Sequence, residues 1–184
     1  DVELLGAARL ACSHGIFDRC INEASRMRGH DEWSLRYLLP YREPLEAAAR
    51  AHGLDPAWVY GLIRQESRFA PAARSGVGAR GLMQIMPATG RWIARRRGIG
   101  GFRTVSLEEP RTNLDFGTWY MRHVLDGLDG SILLASAGYN AGPGRPARWR
   151  ASVGRAVDGA LFAELIPFNE TRQYVQNVIA NTAA

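Results

Sequence analysis

Glu66 ends an apolar stripe. On a helix Val59, Leu62 and Ile63 share one face, and residue 66 is the next position on it. A carboxyl at the end of such a stripe is partly desolvated, which disfavours its charge and raises its pKa. A general acid must be neutral near pH 7 in this way. An ion pair to Arg64 or Arg68 is the other reading, and pattern alone leaves both open. A second stripe runs Leu133, Ser136 or Ala137, then Asn140, which is either a satisfied buried amide or a group facing a ligand. Glu170, Tyr174 and Val178 share a face at four-residue spacing, although Glu170 also suits the first turn of a helix as a favourable charge. Cys12 and Cys20 lack a CxxC pattern, and His14, His30, His52 and His123 are scattered, so no metal site is expected.

The elements that must position these groups are almost all helical. Residues 2–13 and 17–27 read as a helix pair around Gly15, and residues 30–41 as a polar and aromatic connection ending in Pro40. The two cysteines lie symmetrically about Ile16, where the pair turns. A disulfide in an oxidising compartment and two buried thiols both remain open. A helix from Glu43 to His52 stops at Gly53. Asp55-Pro56 is an N-cap followed by a first-turn proline, and opens a helix to about Ser67. Pro71 to Gly81 reads as loop with room for a few extended residues. Pro87 opens a helix that Gly98 ends. Further helices are expected at 110–126, at 131–141 with Ser131 as N-cap, and at 169–182 with Asn169 as N-cap. No alternating segment is long enough for a substantial sheet.

Composition bounds the function class. The 184 residues, 46% hydrophobic, suffice for one cored domain with a short appendage. No run approaches the roughly eighteen apolar residues of a membrane span. The chain begins at Asp1 with no signal-peptide pattern, which reads as a mature form or an excised fragment. The net charge is +5 and every basic residue is Arg, which suits nucleic acid, anionic membrane or acidic wall polymer without choosing among them. The run Arg95-Arg96-Arg97 sits where it would favour the negative end of a helix dipole.

Several blocks carry a resemblance. They are Gln65-Glu66-Ser67, then residues 75–89 (SGVGARGLMQIMPAT), then Asn113 with Phe116-Gly117-Thr118 and Tyr120. Ala137-Gly138-Tyr139-Asn140-Ala141-Gly142-Pro143-Gly144 follows, and residues 164–175 (ELIPFNETRQYV) close the set. In this order and spacing the chain resembles the lysozyme-like Slt family of lytic transglycosylases. The resemblance implies a mainly α, goose-lysozyme/Slt-type catalytic domain over 43–184 with at most a very small β element. It implies that 1–42 is a helical linker ending a longer upstream helical region. Glu66 would be the catalytic acid, with Ser75, Gln84, Met86, Tyr139, Asn140, Glu170 and Tyr174 lining the substrate groove and Met83 in the core. Pro146 departs from the family, which usually carries an aliphatic residue there; a first helical turn tolerates it.

The implied reaction uses one carboxyl where ordinary glycosidases use two. Glu66 would protonate the glycosidic oxygen between N-acetylmuramic acid and N-acetylglucosamine, then act as base on the muramic C6 hydroxyl, leaving a 1,6-anhydro end. No cofactor or metal is called for. The expected partner is the glycan strand of peptidoglycan, with other cell-wall enzymes open as further partners. The resemblance implies a monomer in the bacterial periplasm, neither spanning a membrane nor binding nucleic acid. A goose-type muramidase is the nearest rival and needs a second acid, for which Asp115 and Glu170 are the candidates. A non-catalytic wall-binding module would be marked by loss of the acid, and a nucleic-acid binder rests on charge alone.

Overall fold

In a computed structural model covering residues 1–29, 32–155 and 157–184, the helix that carries Glu66 starts where its cap dictates. The Asp55 carboxylate accepts a hydrogen bond from the Ala57 amide at 2.9 Å, and Pro56 occupies the first turn. This helix, Pro56–Glu66, is the fifth in chain order (α5) and lies at the centre. Trp58, Val59, Tyr60, Leu62 and Ile63 are all buried, so the helix is apolar around most of its circumference and other helices cover it.

Before it come α1 (Val2–Ser13), α2 (Phe17–Arg26), the one-turn α3 (Trp33–Arg36) and α4 (Arg42–Ala51). After it come α6 (Pro87–Arg96), a 3-10 helix (Thr104–Glu108), α7 (Pro110–Asp126), α8 (Ile132–Ala141), α9 (Gly144–Val153), α10 (Gly159–Glu164) and α11 (Asn169–Ala183). Among the described residues, β structure is limited to two isolated bridges, Arg74 with Arg80 and Arg80 with Ile85. The architecture is mainly α, as expected. The expected connection over 30–41 holds α3 in its described part; His30 and Asp31 lie outside the described residues.

Besides Asp55, two more side chains cap helix starts. The Ser131 hydroxyl accepts from the Leu134 amide at 3.3 Å, as expected, and Asp158 accepts from Leu161 at 2.8 Å. Asn169 does not cap α11: Phe168 holds the cap position and Asn169 is already helical. Arg172 explains the difference. Its guanidinium donates to the Ile166 carbonyl at 3.0 and 2.8 Å, anchoring the first turn from within. Pro146 is the third residue of α9 and is buried, where it removes no intrahelical bond.

Two contacts tie α5 to its neighbours. The buried Trp58 indole donates to the Ser136 hydroxyl of α8 at 3.0 Å. Along α11, Gly61 comes so close that a Cβ there would lie 2.5 Å from Thr182 Oγ1 and 2.9 Å from the Val178 carbonyl oxygen. Gly61 meets the later part of α11 while Glu66 meets Tyr174 near its start, so the two helices run antiparallel. At the other end, α1 and α2 share a small core of Ala8, Ala24 and Met27. The Cys12–Cys20 disulfide joins these helices, with Cα atoms 5.2 Å apart.

Gly61→Ala is therefore expected to cost on the order of 2 kcal/mol through overpacking. Gly6→Ala, in α1 with open space around it, should be neutral or stabilising by up to about 1 kcal/mol. Urea denaturation of both variants checks this; equal effects would mean that α5 and α11 do not pack through Gly61.

Candidate active site

Helix α5 ends at its carboxyl. Glu66 is the last helical residue, and the chain turns away through two left-handed residues, Arg68 (φ 48°) and Phe69 (φ 64°). Non-glycine residues seldom adopt this conformation singly, let alone in sequence. Here burial holds it: Phe69 is almost fully buried with its ring centroid 6.0 Å from that of Tyr60. Ser67 adds a tie by donating to the Leu82 carbonyl at 2.7 Å.

Neither arginine neighbour pairs with Glu66. Arg64 donates to the Arg36 carbonyl and to Asn181 Oδ1 at 3.0 and 2.8 Å, and lies over the Tyr37 ring. Arg68 is exposed. Glu66 Oε1 instead accepts from the Tyr174 hydroxyl at 2.6 Å. Some Glu66 surface still meets solvent, but protein atoms crowd the carboxyl itself. Burial pushes its pKa up to about 7, and the Tyr174 hydrogen bond pulls weakly the other way. Tyr174 is held well above the usual phenol range by burial and by Glu66, so it remains a donor. Tyr139 is raised for the same reasons and donates to the Met83 carbonyl at 2.8 Å. Glu66, Tyr139 and Tyr174, from three helices, thus converge.

The loop before α6 is folded by its own polar groups. Ser75 accepts from the Ala79 amide through its hydroxyl at 3.0 Å. The Gln84 amide donates to the carbonyls of Ala73 and Gly81 at 3.1 and 2.9 Å, with its backbone left-handed (φ 46°). Both side chains hold the loop's shape, and the Gln84 NH2 protons are committed to it. Met83 is fully buried and Met86 is 39% exposed. Asn140 accepts from Thr171 at 2.8 Å, beside the exposed Glu170. Asp115 is paired with Arg97 at 2.7 Å and lies 3.4 Å from His52. Among the described residues, Glu66 forms no carboxylate pair with Asp115 or Glu170, and no group of three or more His, Cys, Asp or Glu gathers to hold a metal.

Sequence reasoning assigned no role to Asn113, yet this fully buried amide organises the loop. It accepts from the Met83 amide at 2.7 Å and donates to the carbonyls of Arg80 and Leu107 at 3.0 and 2.7 Å. Gly81 must be glycine beside it: its φ is 77°, and a Cβ would lie 2.3 Å from Asn113 Nδ2. The signal was available, since Asn113 interrupts the apolar face of Leu114, Phe116 and Met121 much as Asn140 interrupts its own. Glu108 adds a clamp by pairing with Arg74 at 2.8 Å and Arg80 at 2.5 Å.

A raised carboxyl pKa has a definite pH signature. Below the unfolded value near 4.5 Glu66 is protonated folded or unfolded and costs nothing. Between about 4.5 and 7 the folded state binds the extra proton, so its stability falls as pH rises, and above 7 the full cost is present. Glu66→Gln keeps the acceptor for Tyr174 and removes the charge. It should match the parent at pH 4 and exceed it by about 3 kcal/mol at pH 8. Denaturant titrations at both pH values check this; equal stability at pH 8 would show that the carboxylate bears no desolvation cost.

Known proteins are similar to this chain in sequence and fold. A family model described as the transglycosylase SLT domain matches residues 43–161, and one described as the soluble lytic transglycosylase helical domain matches 165–184. The chain is 36% identical over 177 residues to the soluble lytic murein transglycosylase of Salmonella typhimurium and 34% identical to that of Escherichia coli. Each comparison covers 96% of this chain and 27% of the relative, so the chain spans about a quarter of those relatives' length. Among solved structures it resembles an inactive mutant of the lytic transglycosylase Slt from Pseudomonas aeruginosa (39% identity, TM-score 0.92). It also resembles a complex of the 70 kDa soluble lytic transglycosylase with bulgecin A (33%, 0.92). Both cover 98% of this chain and 29% of the other. No helix among the described residues is long and apolar enough to cross a membrane. With the family model spanning most of the helices that converge on Glu66, the chain belongs to the SLT transglycosylase domain family.

Proposed function

We propose that this domain is a peptidoglycan lytic transglycosylase, cleaving the β-1,4 bond between N-acetylmuramic acid and N-acetylglucosamine without water. The observation that carries the reading is the Glu66 carboxyl, crowded by protein, half-protonated near neutral pH and hydrogen-bonded by Tyr174. Because Tyr174 occupies Oε1, Oε2 is left to carry the proton that moves.

The proton passes from Oε2 to the glycosidic oxygen, the bond from C1 to that oxygen breaks, and N-acetylglucosamine leaves with a free 4-hydroxyl. The 2-acetamido group of the muramic residue stabilises the positive charge at C1. Glu66, now a carboxylate stabilised by the Tyr174 hydroxyl, takes the proton from the muramic C6 hydroxyl as that oxygen bonds to C1. The 1,6-anhydro ring closes and the acid is regenerated. The nucleophile belongs to the reacting sugar, so proximity replaces a bound water. A pKa near 7 serves both halves of the cycle, since donor and acceptor forms are then both accessible.

Supporting the single-acid scheme, Asp115 is occupied by Arg97 and Glu170 lies exposed at the start of α11. Tyr139 and Asn140 form one wall of the groove in this reading, and Glu170 with Tyr174 the facing one. The loop carrying Ser75, Gln84 and Met86 bounds its edge. We read residues 1–42 as a helical linker ending a longer upstream helical region, supported by the small core that α1 and α2 share, although Ile21 joins the main core, and by the greater length of the relatives. A monomer working on glycan strands in the periplasm fits this reading.

Digestion of purified peptidoglycan should release muropeptides lighter than reducing-end products by one water, as read by mass spectrometry. Reducing ends alone would make the enzyme a hydrolase. Glu66→Gln should keep the fold and lower turnover by at least about 100-fold; retained turnover would remove Glu66 from its role.

A further inference from the structure

Much of the unpaired positive charge lies along one stretch of chain. Arg91, Arg95 and Arg96 on α6, Arg103 before the 3-10 helix and Arg111 on α7 are all exposed. Among the described residues none of their side chains makes an ion pair or hydrogen bond. The acids nearby are engaged elsewhere: Glu108 by Arg74 and Arg80, and Asp115 by Arg97. Only Glu109, which accepts from the Thr112 hydroxyl, lacks a cation. Helix polarity does not account for the set. Two cations suit the last turn of α6, but Arg111 is the second residue of α7, where the dipole disfavours a positive charge. Arg91 and Arg95, four apart on one helix, also repel. Between the arginines the chain exposes apolar groups. Residues 98–101 stand clear of the body, since a Cβ at Gly98, Gly100 or Gly101 would meet nothing within 4 Å. Ile99 in this loop is 38% exposed, and Val105 is 53% exposed. A cavity of about 470 Å³ is lined by Ile99, Phe102, Arg111 and Phe116 among others, which puts the loop and the start of α7 on one face.

We propose that this surface, made by the end of α6, the glycine-rich loop and the start of α7, docks reversibly on a membrane rich in anionic phospholipid. Single exposed apolar side chains are ordinary on a protein surface. Their interleaving with unpaired arginines is what points to a lipid interface. Anionic headgroups attract the guanidiniums, and the boundary of headgroup and acyl chain takes up Ile99 and Val105. Arginine also suits phosphate, because its planar fork of N–H donors matches the phosphate oxygens. A dissolved polyanion would satisfy the arginines but leave both apolar side chains in water. The contact is peripheral and needs no spanning helix. It is also independent of the reaction assigned to Glu66, and either reading can fail without the other.

Co-sedimentation with lipid vesicles tests this on the chain as it stands. Vesicles of phosphatidylcholine and phosphatidylglycerol in equal parts should bind it, and vesicles of phosphatidylcholine alone should not. Binding should weaken as salt rises. Arg95→Gln with Arg96→Gln should lower affinity for the mixed vesicles by on the order of 30-fold, and Ile99→Ser by about fivefold. Arg19→Gln with Arg28→Gln removes the same net charge from exposed positions in and after α2 and should change affinity by less than about threefold. No binding to the mixed vesicles at low salt overturns the proposal, as does an equal loss from the Arg19 and Arg28 pair. An unchanged affinity in folded Ile99→Ser, with polyglutamate in solution competing through Arg95 and Arg96, would make this a polyanion surface and overturns it as well. Should the Arg95 and Arg96 pair not fold, Arg103→Gln with Arg111→Gln provides a second pair, and unchanged vesicle affinity there has the same consequence.

Discussion

The structure depends on placing one carboxyl where water cannot fully solvate it and then giving it the Tyr174 hydroxyl as a hydrogen-bond donor. Helix α5 is buried along most of its length, and its final residue is Glu66. Desolvation favours the protonated form, and the Tyr174 hydroxyl stabilises the ionised one. Neither effect dominates completely, which keeps the group near neutrality in its titration. An arginine in place of Tyr174 would have locked the carboxylate and removed the acid.

The rest of the fold can be read as support for that balance. Gly61 lets α11 lie close against α5, and this approach delivers Tyr174 to Glu66. Asp55 and Pro56 fix where α5 begins and hence where its last residue falls. Beyond the acid, buried Phe69 stabilises an unfavourable backbone, so the chain leaves the helix at once and does not run on through the site. Asn113 and Glu108 then hold the following loop from beneath, and the loop presents the Met83 carbonyl to Tyr139. The hydroxyl of Tyr139 is thereby engaged away from Glu66, leaving Tyr174 as the phenol that acts on the acid.

Much of this was legible because it is local. Asp55 and Ser131 announce their helices by short-range capping chemistry, and Glu66 stands out because a charged residue ends an apolar stripe. What was not legible is tertiary. The N-cap of α11 falls at Phe168 and not at Asn169 because Arg172 reaches back to Ile166, a contact that no capping rule contains. The short helices α3 and α10 offer too few turns for a periodic signal. Pattern could place Tyr174 on a face with Glu170 but could not say that it meets a residue more than a hundred positions earlier. Ser75 and Gln84 matched the motif by type, yet their resolved hydrogen bonds serve the loop itself.

The central claim is a protonation state, and it can be observed directly. Carbon-13 NMR of the glutamate side-chain carboxyls, with Glu66 assigned by its absence in Glu66→Gln, follows that one group as pH changes. The account predicts a midpoint near 7. A midpoint near the ordinary glutamate value of about 4.3 would mean that the site solvates the carboxylate, and the proposed acid would be ionised at neutral pH.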